Sequence, residues 1–491
     1  MNWKLEKDLT EVPNGSARLC ENFAPFAFKL STFLQIPKTE QKKTNMKHKL
    51  PLILLLLTFS GIKAQQVEFS GSVNAKGIFY SDDESPFWNH SNQRGRIDEL
   101  TNFSGWITGL ATYKISENAG FELGLGALYQ DGFTDKLQLD ESYLGFQNNW
   151  LLAHVGRKQQ AELYRGLSAT NQNILWSLNA RPLPGISFQT KRPIYFWKNA
   201  GLAFEASLEE FITDDDRHVK DTRVHHKSFH LIYDKIQNFE IKVGVQHFAQ
   251  WAGTSPEFGK LAGTFRDYID VFTGRESKED ITGGQEVNAL GNQLGSYEIY
   301  LTTSVSDYKV QIIYNHLFED KSGMLLRNTP DGRYGIYIED PEPGKWVDAF
   351  MYELYYTRNQ SKNFPTSDGE DNYFNNNLYR SGWTYENRIL GVPFITLDEN
   401  RFRVNNNKII AHHIGISGTA FDKLPYKLLS SYRKNYGGKG QDKLISNILS
   451  SYLDLKIWQN VVDVNVQVGA DFSSIASPNF GGGIQVSKRF F

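Results

Sequence analysis

The chain has 491 residues, of which 40% are hydrophobic, 14% aromatic and 22% charged, with a formal net charge of -2. That near-neutral balance gives no basic footprint for nucleic acid, and no nucleic-acid partner is expected. A mean hydropathy of -0.46 excludes a bundle of membrane helices but not a membrane barrel, whose strands spend half their residues on a polar lumen.

An internal secretory signal comes first. Met46-Lys47-His48-Lys49 is a basic start, residues 50–59 are a short apolar core, and Ile62-Lys63-Ala64 offers a cleavage site before Gln65. A run this short addresses a chain for export and does not span as a mature helix. Met46 is therefore expected to be the true initiator and residues 1–45 a misplaced upstream start, the other reading being a genuine upstream extension, with 46–64 the signal peptide and 65–491 the mature barrel. The single cysteine, Cys20, falls in the extension, so the mature chain has no disulfide framework and no cysteine metal site.

From Val67 onward apolar and polar residues alternate, which leaves no room for the soluble plug domain of a TonB-dependent transporter. Phe121, Leu123, Leu125 and Tyr129 share a face against Glu122 and Gln130. Phe239, Ile241, Val243 and Val245 oppose Glu240, Lys242 and Gln246. Tyr297, Ile299 and Leu301 oppose Glu298 and Thr302, and Phe350, Tyr352, Leu354 and Tyr356 oppose Glu353. Val462, Val464, Val466 and Val468 close the series against Asp463, Asn465 and Gln467. A period of two is the signature of strands with two unlike faces. The connections alternate too: short at 117–118, 148–149, 235–238, 305–307 and 459–460, long at 81–100, 158–184, 211–223, 251–294, 318–332 and 358–407. The pattern predicts an all-β fold, a transmembrane antiparallel up-and-down β-barrel of about eighteen strands, each of ~9–11 residues. Short periplasmic turns, long external loops, two periplasmic termini and a surround of outer-membrane lipid follow. In the last strand Lys488 shares a face with Ile484, Val486 and Phe490, and is expected to snorkel to the interface. Phe491 supplies the aromatic terminus by which barrel-assembly machinery would engage the chain.

Loops beyond ~12–15 residues usually carry function. Residues 251–294 contain Trp251, Arg266, Tyr268 and Asp270. Residues 358–407 contain Tyr373, Tyr379, Trp383 and Tyr385 beside the amide runs Asn375-Asn376-Asn377 and Asn405-Asn406-Asn407. Flat apolar rings next to amides, carboxylates and guanidinium suit sugar stacking and hydroxyl recognition. The same rings suit loops that fold inward and plug the lumen. Arg181 would either bind an acidic sugar or form a lumen ion pair. Glu319-Asp320 with Ser322-Gly323, and likewise Asp214-Asp215-Asp216, read as cation loops or as solvated acidic turns.

Enzyme chemistry finds little support. Asn89-His90-Ser91 has the residue types of a hydrolase pair, but adjacent residues in extended chain diverge, which misplaces His90 for activating Ser91. His225-His226 and His412-His413 diverge in the same way, so no shared metal is expected. No catalytic residue, metal or cofactor is predicted.

Three strings carry a family resemblance. They are Gly156-Arg157-Lys158 through Gly166-Leu167-Ser168 to Ser177-Leu178-Asn179-Ala180-Arg181-Pro182-Leu183-Pro184-Gly185, then Asn288-Ala289-Leu290-Gly291-Asn292-Gln293-Leu294-Gly295-Ser296-Tyr297-Glu298, then His316-Leu317-Phe318-Glu319-Asp320-Lys321-Ser322-Gly323-Met324. In order, over most of the mature chain, the sequence resembles the Wzi-type capsule assembly proteins. The resemblance implies a non-enzymatic, eighteen-stranded outer-membrane barrel of a Gram-negative bacterium that tethers capsular polysaccharide as a lectin. A separate periplasmic helical element, which some members carry, is not evident. The other reading is a porin or sugar-selective channel, since so wide a barrel conducts if its loops leave the lumen open.

Overall fold

A computed structural model describes residues 67–275, 289–362, 370–439 and 445–490. The extension, the signal peptide and Phe491 lie outside them. Among the described residues nineteen strands compose one sheet: β1 (Val67–Tyr80), β2 (Phe103–Ser116), β3 (Ala119–Gln130), β4 (Leu137–Gln147), β5 (Leu151–Arg157), β6 (Pro184–Thr190), β7 (Ile194–Trp197), β8 (Leu202–Ile212), β9 (Arg223–Tyr233), β10 (Phe239–Trp251), β11 (Asn292–Val305), β12 (Tyr308–Phe318), β13 (Gly332–Glu339), β14 (Ala349–Tyr356), β15 (Ile409–Ala420), β16 (Leu424–Asn435), β17 (Ser446–Gln459), β18 (Asp463–Ser473) and β19 (Asn479–Phe490). Each pairs antiparallel with its neighbour, and β19 returns to β1, from Gly71 opposite Phe490 to Tyr80 opposite Gly481. β6 and β7 both pair with β8, so they share one position in the wall. The result is a closed barrel of eighteen positions. Lys191-Arg192-Pro193 makes the break between β6 and β7, and a proline has no N–H to give to a ladder.

Alternation decides which side chains meet lipid. Val73 stands opposite Ile107, Leu123 opposite Leu144, Leu144 opposite Val155, and Val155 opposite Ile186. Leu231, Val243 and Ile299 form a like row on the next strands, and Val468 and Ile484 face outward near the closure. All are exposed on the outside of the wall, where they form an apolar belt. Trp150, Trp197, Tyr308, Trp346, Phe421 and Trp458 stand exposed near the short-turn end, as an interfacial aromatic girdle does. Lys488 lies opposite Val73 with its ammonium 5.3 Å from the Phe490 ring.

Strand lengths depart from the expected narrow range where the chain enters the lumen. β5 and β6 have 7 residues each, because the segment between them leaves the wall and crosses the interior. Its tip, Tyr164 and Arg165, sits at positive φ and reaches the short-turn end, where Arg165 Nε donates to Glu339 at 2.9 Å. Two other segments meet it inside. The first carries a short helix, α1 (Phe87–His90), and the second is 370–406. Together with inward side chains such as Phe248, Met351 and Tyr355 they make a continuous buried core that includes Trp88, Leu167, Ile174, Trp383, Tyr385 and Phe394. The barrel is therefore filled by its own loops.

The wall fastens this plug through polar groups that point inward. Glu353 accepts from Ser168 Oγ and from the Ala169 N–H, each at 2.8 Å. Arg333 bonds both Glu353 and the Gln172 carbonyl, Glu298 accepts from Asn173, and His413 meets the Leu167 carbonyl. Two wall glycines allow the close approach: a Cβ on Gly415 would stand 2.4 Å from the Leu167 carbonyl oxygen, and one on Gly469 would stand 1.9 Å from Asn89 Oδ1.

One element lies outside the barrel. Helix α2 (Phe265–Thr273) begins with a capping box between Thr264 and Asp267. Tyr268 and Phe272 touch the ring of His225. His225 shares the outward face of β9 with the exposed Phe229 and Leu231, yet is itself fully buried. The helix covers a set of outward-facing polar groups near the long-loop end and lets them face protein instead of lipid. A third short helix, α3 (Lys321–Met324), is capped by Asp320.

Candidate functional site

The long-loop end is where unlike segments converge. Residues 213–222, 252–263 and 376–402 meet over a small apolar core of Val219, Leu261, Leu378 and Tyr379. Arg217 holds two of the segments together by donating to the Thr384 and Gly382 carbonyls, each at 3.3 Å. The His218 N–H donates to Ser381 Oγ at 2.9 Å. On that platform stands a polar cluster open to solvent. Glu257 takes Arg380 at 2.8 Å and the His218 ring at 3.0 Å, and the Phe402 ring stands 5.8 Å from His218. Phe258 and Asn377 are exposed beside it. Desolvation opposes the charged form of Glu257, but hydrogen bonds from Ser255 and His218 and the Arg380 charge hold its carboxyl below the usual range. An exposed ring, a carboxylate–guanidinium pair and a free amide at one mouth can stack on and hydrogen-bond a polyhydroxylated ligand.

The structure distributes the residues singled out in the sequence between plug and rim. Tyr373, Trp383 and Tyr385 are fully buried, and Trp251, Tyr379, Asp270 and Arg181 nearly so. Trp383 donates its indole N–H to the Leu175 carbonyl at 2.7 Å, which ties two plug segments together. The Tyr373 hydroxyl donates to Asp331 at 2.7 Å. Tyr385 bonds Asp214, and the Arg157 guanidinium bonds both. Arg181 pairs with Glu386 and donates to the Leu139 carbonyl. These rings offer no open face in this arrangement and serve the inward fold. Arg266 is exposed and Tyr268 half-buried on α2, while Trp251 lies beneath that helix, 5.7 Å from Tyr268. Glu257, Arg380, His218 and Phe402 were missed as a group because they come from three separate loops, with no spacing that links them.

The acidic runs are not solvated turns throughout. Asp214 and Asp215 bind plug residues although Asp214 is half exposed, and Asp216 is open beside Lys220. Burial pushes the Glu319 carboxyl far up and neighbouring Asp371 adds to it, while the Phe374 N–H donates to it at 2.7 Å. Burial, then the Asp320 charge, lifts Asp371 to about 7, and burial lifts Asp331 to about 6. No group of ligand residues able to hold a metal occurs among the described residues. His90 turns to Ser85 at 3.0 Å and not to Ser91, and burial followed by the Arg388 charge depresses it to about 3.

The family model for "Capsule assembly protein Wzi" matches residues 62–396. The chain belongs to the Wzi capsule assembly family. Among solved structures it is similar to Wzi of Escherichia coli, an outer membrane protein involved in group 1 capsule assembly and described as a carbohydrate binding β-barrel. Identity is 13%, the match covers 91% of this chain and 89% of that one, and the TM-score is 0.57, a likeness of fold. The Pseudomonas aeruginosa barrels OccK3 and OccK5 match at 10% and 9% identity, over 87% of this chain and 96% and 98% of theirs, with TM-scores of 0.46 and 0.45. No curated protein sequence matched the chain. The Wzi family is one of capsule assembly and not an enzyme family.

Proposed function

We propose that this barrel sits in the outer membrane with its long loops outside and tethers capsular polysaccharide there as a non-enzymatic lectin. The observation that carries the reading is the Glu257–Arg380–His218–Phe402 cluster, with Glu257 and Phe402 exposed, on a mouth whose lumen is filled by folded loops. A filled lumen supports a binding surface over an open channel. Family membership and the carbohydrate-binding description of the E. coli protein support the ligand class. Arg266 and Tyr268, on the exterior helix, remain open to a glycan that reaches around the rim.

The test is an Arg380→Ala/Phe402→Ala double variant expressed in the capsulated host, with cell-bound and released polysaccharide measured separately. Total polysaccharide should stay unchanged and the bound share should drop severalfold. A normal bound share, with the barrel correctly folded, would remove this cluster from the tether. Unchanged attachment after deletion of the gene would remove the tether itself.

A further inference from the structure

The outward face of β14, β15 and β16 ends in a group of cations. Tyr356 stands opposite Ile410 and Ile410 opposite Lys434, so these three share one rung of the outer wall. Tyr432 and Ile414, further down the same faces, are exposed members of the lipid belt. One step above the rung come Arg358, Lys408 and Tyr436, where the Tyr436 N–H donates to the Lys408 carbonyl at 2.9 Å and extends the ladder. The Arg358 guanidinium lies 4.3 Å from the Tyr436 ring centroid and the Lys434 ammonium 5.3 Å from it. Lys408 pairs with Glu370. Arg358 and Lys434 have no carboxylate partner among the described residues.

The position decides what these charges suit. Same-face residues are spaced ~7 Å along a strand, so Lys434 stands level with Tyr356 and Ile410, at the top of the belt, and Arg358 and Lys408 stand one step above them. That is the level at which acyl chains give way to headgroups. Neighbouring strands are ~4.8 Å apart, so three strands present a cationic strip ~10 Å wide, matched to a headgroup with more than one phosphate. A soluble anion would gain nothing from the apolar surface beneath, whereas a lipid fills both parts at once. Basic groups at the rim of an apolar wall are a general device for anionic lipid headgroups.

We propose that Arg358, Lys408 and Lys434, arranged around Tyr436, form a binding site for a phosphorylated glycolipid of the outer leaflet, with its acyl chains along Tyr432 and Ile414. This rests on the outward orientation of the long-loop end given above. The site would hold the barrel at a fixed depth and supply a lipid collar beneath the glycan-facing mouth.

The test uses the detergent-purified full chain and native mass spectrometry, with phosphorylated lipid A and the same lipid after removal of its phosphates. The phosphorylated form should bind about tenfold tighter or more, and Arg358→Gln/Lys408→Gln/Lys434→Gln should lose that preference while keeping heat-modifiable mobility. Should the triple variant fail to fold, Arg358→Gln and Lys434→Gln singly should each weaken the preference, and Lys220→Gln, at the mouth, should not. Equal binding of the two lipids, or a preference that survives the substitutions, overturns the site. No capsule enters the assay, so a failure of the tether and a failure of this site are told apart.

Discussion

Arg333 and Glu353 show at the scale of single residues why a filled barrel is stable. Their side chains are fully buried with N and O 2.7 Å apart, and each also binds the plug. Arg333→Met would strand a buried carboxylate, which costs ~3–5 kcal/mol. Equilibrium urea unfolding in lipid vesicles should report that loss, and an unchanged midpoint would mean that Glu353 is not held dry. The carboxylates at the rim predict a pH effect. Burial first, and Asp320 second, raise Asp371 from 3.8 to about 7. Between those values the folded form binds more protons than the unfolded form, so the contribution is fully present below ~3.8 and is lost as pH rises through about 7. Asp331, raised to about 6, adds the same sign over a narrower window. Hydrogen-exchange protection at residues 370–376, relative to the intrinsic rate at each pH, should be greater at pH 5 than at pH 8, and Asp371→Asn should flatten that difference. Equal protection at both values in the parent chain would count against the buried cluster.

Among elements, the inward segment between β5 and β6 matters most, since it crosses from the long-loop end to Glu339 near the opposite end. It brings Ser168, Ala169 and Asn173 to the wall and receives the 370–406 segment through bonds such as Val392 N–H to the Ile174 carbonyl at 2.9 Å. The parent barrel should show little single-channel conductance in a planar bilayer. Replacement of residues 371–397 by a short glycine–serine link should raise it severalfold. Large conductance in the parent chain would revive the channel reading. The exterior helix depends on its cap: Thr264→Ala should cost ~1 kcal/mol of local stability, seen as faster exchange over 265–273 with the barrel unaffected.

For the whole molecule, closure is the decisive property. β19 joins β18 on one side and β1 on the other, so its ladder removes both open edges at once. A chain truncated before Asn479 should fail to give a heat-modifiable band and should aggregate. A stable truncated barrel would mean that β18 can close on β1 without it.

The wall was legible in the sequence because its determinants are local. A period of two in Val462, Val464, Val466 and Val468, and the short–long rhythm of the connections, follow from strand geometry and from water at one face with lipid at the other. The alternating runs led to about eighteen strands, and the rhythm to an even number with both ends of the described barrel at the short-turn side. The fate of the loop aromatics was not legible. Trp383 and Phe402 sit in the same loop with similar neighbours in sequence, yet one is buried against Leu175 and Phe248 and the other is open beside His218. A ring in a loop carries no period to say which way it faces. Only tertiary structure decides, because the lumen to be filled is created by strands far away in the chain. The sequence by itself determined the barrel; the tertiary structure decided that it is plugged, which cations stand above the lipid belt, and which polar groups remain at the mouth.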